Sequence, residues 1–118
     1  MIPKFRAWHK ELKKMFDVKS LVFTIGTATI ASRDDIVPSR NVGFDELIIM
    51  QSTGLVDKNG VEIFEGDVVH AYGEGASLIG VVEYFDNAYC IKRKNDIYNP
   101  LWTNAEHYEV IGNVCEDP

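Results

Sequence analysis

The sequence predicts a mainly β protein. Short runs of β-branched and aromatic residues recur along the chain, Gly, Asn and Asp corners separate them, and no stretch sustains a long helical apolar period. The corners are clearest in the centre, where Asp57-Lys58-Asn59-Gly60 and Glu65-Gly66-Asp67 supply residues that tolerate left-handed backbone angles. Val61, Ile63, Phe64, Val68 and Val69 fill the strands between and after them. At 118 residues the chain is one domain's worth, and a body of that size buries roughly two thirds of its unfolded surface.

In chain order, Lys4-Phe5-Arg6-Ala7-Trp8 alternates polar and apolar residues, and Met15, Phe16 and Val18 resume after a polar turn, which predicts a β-hairpin. A short amphipathic helix over 8–16, with Trp8, Leu12, Met15 and Phe16 on one face, is the alternative. Residues 21–30 read as one strand bent at Gly26, and residues 31–43 have a loop's composition and are expected to be the most mobile part of the chain. The next strands are expected over 45–51, 61–64, 68–72, 78–85, 89–93 and 108–115. Their even spacing predicts an antiparallel barrel or sandwich over residues 50–118. Val68, His70 and Tyr72 face one way and Val69 and Ala71 the other, while Ile79 and Val81 oppose Leu78 and Val82. Both faces are therefore largely apolar, as expected where the N-terminal half packs on the barrel or where copies associate.

With 46% apolar, 11% aromatic and 25% charged residues the chain is expected to fold. No apolar run is long enough to span a bilayer, and the lysine-rich start leaves no room for a signal peptide, so a cytoplasmic protein without membrane association is expected. Cys90 and Cys115 lack paired spacing and read as buried thiols. The net charge of −6 is uneven, with +4 in residues 1–20 and −10 in the remainder. An acidic body disfavours phosphate backbones, apart from a local contact at the basic N-terminal patch, and the same split can serve head-to-body attraction within one subunit or between neighbours.

No residue pattern announces a reaction. Glu65 and Asp67, with Glu62 nearby, are the nearest approach to a carboxylate cluster and would serve a metal-assisted hydrolase only if they converged; the Gly66 turn is the simpler reason for both. His9, His70 and His107 are too dispersed for a zinc site, and Gly73-Glu74-Gly75 reads as a hairpin loop rather than a phosphate cradle. Lys92-Arg93-Lys94, with Tyr89, Tyr98 and Trp102 nearby, is the nucleic-acid candidate, since cations hold a backbone while rings stack on bases.

Phe5-Arg6-Ala7-Trp8, Lys14-Met15, Met50-Gln51-Ser52-Thr53-Gly54-Leu55, Asp57-Lys58-Asn59-Gly60, Ile63-Phe64-Glu65-Gly66-Asp67-Val68-Val69, Gly80-Val81 and Glu109-Val110-Ile111-Gly112-Asn113-Val114 with Glu116 together resemble the YopX family, proteins encoded by phages and prophages of Gram-positive bacteria. The resemblance covers both ends and the centre but not residues 20–44 and 86–106. It implies an SH3-like β-barrel at residues 45–118 and a β-rich, hairpin-containing segment at 1–44. No reaction, cofactor or catalytic residue comes with it. The expectation is therefore a phage-encoded accessory protein without catalytic residues, binding another protein or itself. Nucleic-acid binding through the N-terminal basic segment or Lys92, Arg93 and Lys94 is the alternative.

Overall fold

The computed structural model of the chain describes residues 4–33, 38–73, 76–85, 87–94, 98–101 and 107–116. They form eleven strands, with a 3-10 turn at Phe44–Glu46. All strand pairs are antiparallel. Among the described residues no helix is long and apolar enough to cross a membrane. Two compact units emerge, Ile2–Gln51 and Ser52–Pro118.

In the first unit β1 (Phe5–His9) and β2 (Lys14–Val22) form the expected hairpin, not a helix. Lys13 closes its turn with a φ of 53°, and the His9 ring helps: its Nδ1 accepts the Leu12 N–H at 3.1 Å. The expected single strand over 21–30 is instead two, because Gly26 takes a φ of +66° and reverses the chain between β2 and β3 (Thr27–Ala31). Any side chain there pays the left-handed strain, so Gly26→Ala should lower stability by about 1 kcal/mol in urea unfolding. β4 (Arg40–Gly43) then pairs with β3 inside the segment read as loop. Its Asn and Gly content concealed it. Residues 34–37, within the stretch expected to be most mobile, lie outside the described residues.

β5 (Leu47–Val56) pairs with β1 through its first half, completing the order β4-β3-β2-β1-β5. Ala7, Phe16, Ala28, Ile30, Val42 and Leu47 make the buried core of this unit.

The second unit begins with the other half of β5, which pairs with β6 (Glu62–Phe64). β7 (Asp67–Gly73), β8 (Ala76–Phe85), β9 (Ala88–Lys92), β10 (Tyr98–Pro100) and β11 (Tyr108–Asn113) form a sheet in the order β10-β9-β8-β7-β11. No strand pairing closes it among the described residues. Ile63, Val69, Val82, Ile91 and Tyr108 fill its core, joined by Leu55 of β5. Glu74 and Gly75, expected at the β7–β8 loop, lie outside the described residues, although the flanking Gly73 and Ala76 pair.

The acidic corners hold this unit together. Asp57 is buried, and its Oδ1 accepts the N–H groups of Asn59 (2.8 Å) and Val61 (2.9 Å) while Oδ2 accepts that of Val110 (2.9 Å). One carboxylate thus closes the β5–β6 turn and fastens it to β11. Burial pushes the Asp57 carboxyl up, but the three N–H groups and the Lys58 ammonium outweigh it and hold the pKa below the ordinary aspartate value.

Candidate functional site

Alternation along β7, β8 and β9 sends Val69, Val82 and Ile91 into the core. Their neighbours Val68, Val81 and Lys92 therefore lie on the opposite face, where pairing sets them side by side in one row. Ile79, paired with His70, extends this outer face and is 55% exposed. An open groove of about 940 Å³ runs over it, and Val114 completes its apolar lining.

One wall is cationic. Lys92 ends β9, and Arg93 and Lys94 carry the wall onward, both exposed. Gly80 is what brings them there. A Cβ at Gly80 would stand 2.5 Å from Ile91 Cγ2 and 2.6 Å from the Lys92 carbonyl oxygen, so the end of β9 crosses β8 closely only over glycine. Among the described residues Glu83 is the single acidic one lining the groove.

The charge context sharpens this. Residues 52–118 hold four basic side chains (Lys58, Lys92, Arg93, Lys94) against twelve acidic, a balance of −8, and three of those four cations line the groove. Local attraction for an anion therefore exists on a body that repels anions elsewhere.

Other residues singled out by sequence are dispersed. Asp67 is buried in the turn after β6, where Oδ2 accepts the Phe64 N–H at 2.8 Å. Glu65 is half-buried in the same turn. Its charge, after burial and ahead of Tyr84, helps push the Tyr89 hydroxyl pKa up. Glu62 accepts the Ser52 hydroxyl. Among the described residues no group of three or more His, Cys, Asp or Glu side chains is placed to hold a metal ion. His9 belongs to the N-terminal hairpin, the His70 ring lies tilted by 41° against Tyr72 with centroids 4.1 Å apart, and His107 is exposed. Neither cysteine is in a disulfide. Cys90 is buried, but Cys115 is only half-buried, contrary to the sequence reading.

Of the aromatics expected beside the basic cluster, Tyr89 packs on the opposite, core face of the sheet, meeting Tyr84 edge-on at 5.1 Å. Trp102 lies outside the described residues, as does the side chain of Tyr98. No described aromatic side chain lines the groove. Sequence reasoning named the three cations but missed Val68, Ile79 and Val81 as their partners. The apolar outer positions of β7 and β8 were the available signal.

The family model described as YopX protein matches residues 4–118. The chain belongs to the YopX family. Among solved structures it is similar to protein EF1440 from Enterococcus faecalis, with 31% identity over 100% of this chain and 96% of that one and a TM-score of 0.62. It is also similar in fold to yopX from Bacillus subtilis, at 19% identity over 98% of this chain and 94% of that one, again with a TM-score of 0.62. No curated protein matches it. Family membership fixes the architecture and leaves activity to be argued from the groove.

Proposed function

We propose that this YopX-family chain is a non-catalytic, phage-encoded accessory protein of the host cytoplasm. In this reading its C-terminal unit is an SH3-like barrel that binds a protein segment with an apolar centre and acidic flanks. The observation that carries the reading is the groove in which Val68, Ile79 and Val81 lie beside Lys92, Arg93 and Lys94. An apolar surface flanked by cations takes up a ligand that is apolar and anionic at once. The SH3-like description rests on a five-stranded antiparallel sheet that shares one core with residues of the β5–β6 hairpin. The absence of catalysis is argued from Asp57 and Asp67, whose carboxylates accept backbone N–H groups at turns.

Nucleic acid is the second reading, favoured by three consecutive cations on one wall. An acidic lining residue, a surrounding unit of −8 and the turn of Tyr89 toward the core argue for protein instead.

Fluorescence anisotropy with three labelled probes separates them: a peptide with Phe-Thr-Ile between glutamates, the same peptide with flanking lysines, and a single-stranded oligonucleotide. Only the acidic peptide should bind, more weakly as salt rises, and Ile79→Asp should weaken it at least about tenfold. Oligonucleotide binding lost in Lys92→Ala/Arg93→Ala/Lys94→Ala would replace this reading with the second one.

A further inference from the structure

The first unit carries an exposed apolar knob at the β2–β3 turn. Phe23 is 77% and Ile25 71% exposed, the two most exposed large apolar side chains of the described residues. The knob is held in place: the Phe23 ring meets Phe44 edge-on at 5.9 Å, and the Phe44 N–H donates to the Gly26 carbonyl at 2.8 Å. Two further residues on, the 3-10 turn sets the exposed acidic residues Asp45 and Glu46 beside this knob. One cation comes close, since Lys10 Nζ donates to the Asp45 carbonyl oxygen at 3.0 Å. The knob is thus apolar with acidic flanks, presented by a tip that has little order left to gain on binding.

These properties are the converse of the groove's. We infer that the groove of one copy receives the Phe23/Ile25 tip of a second copy, with Asp45 and Glu46 against Arg93 and Lys94. The inference rests on the protein-binding reading of the groove and names its partner. Because tip and groove are different patches, the contact is heterologous, and a joined pair keeps one free tip on one copy and one free groove on the other until a ring closes or a chain extends.

The test uses the full chain in light scattering and sedimentation at low and high salt, with circular dichroism to confirm that each variant folds. The unaltered chain should gain mass above the monomer with rising concentration, less so at high salt. Phe23→Ser/Ile25→Ser and Ile79→Asp/Arg93→Glu all change exposed positions, and each pair should weaken association at least about tenfold. Mixing the two variants should restore a one-to-one complex, since one keeps its groove and the other its tip. A chain monomeric throughout, variants that associate like the original, or a mixture that forms no complex would overturn the inference. If the acidic-flanked peptide still binds in any of those cases, the groove reading survives; if that binding is also absent, both fall.

Discussion

Replacing Asp57 by alanine should lower the unfolding free energy by about 3–4 kcal/mol, seen as a lower urea midpoint with an unchanged slope. Three N–H groups from Asn59, Val61 and Val110 lose their acceptor together. Two of them close the turn and the third ties it to β11. The cost falls short of three full charge-assisted hydrogen bonds because Asn59 and Val61 are exposed and water replaces part of what is lost. Asparagine keeps one oxygen for the turn but turns an amide NH₂ toward Val110, so Asp57→Asn should cost about half as much. Acid should expose the same group. The folded pKa lies below the ordinary aspartate value, so the carboxylate's stabilisation is present above about pH 4 and is lost as pH falls through the folded pKa. The midpoint of Asp57→Asn should accordingly decline less than that of the original chain between about pH 5 and pH 2.

Gly80→Val should cost about 3 kcal/mol or more and should also abolish peptide binding in whatever fraction remains folded. A Cβ there meets Ile91 Cγ2 at 2.5 Å and the Lys92 carbonyl at 2.6 Å, and the second contact is with backbone that cannot rotate away. Relief requires moving the end of β9, which carries Lys92, Arg93 and Lys94 off the groove. Gly26 provides the contrast. The nearest atom to its Cβ is Phe44 Cδ2 at 3.9 Å, so only backbone strain is at stake and association should suffer less than at Gly80. A Gly80→Val protein that unfolds like the original would contradict the close crossing of β8 and β9.

Much of this architecture was legible in the residues. Asp57-Lys58-Asn59-Gly60 and Gly66 mark turns because few other residues accept such backbone angles, and both turns are found, with Gly60 and Gly66 at φ of +79° and +83°. Most strands rich in Val, Ile and Phe were read to within two or three residues, but β5 runs to Val56, five residues past the end expected at 51. β4 and β10 were not, because strands of four and three residues containing Asn, Gly or Pro take their order from neighbours rather than from their own propensity. Gly26 was read as a bend when it is a reversal, and that difference exposes Phe23 and Ile25 instead of burying them in a strand. The cationic side of the groove is visible in three adjacent letters. Its apolar side is not, since Val68, Ile79 and Val81 come from two strands and meet only through register. Tyr89 illustrates the converse: adjacent in sequence to the cluster, it points to the other face.

The measurement closest to the centre of this account is an amide NMR titration of the Phe23→Ser/Ile25→Ser chain, kept monomeric by its altered tip, with the acidic-flanked apolar peptide. Saturable shifts should be concentrated at Val68, Ile79, Val81, Lys92 and Val114. Shifts that leave those residues still and gather elsewhere, or no shift at any peptide concentration, would contradict it.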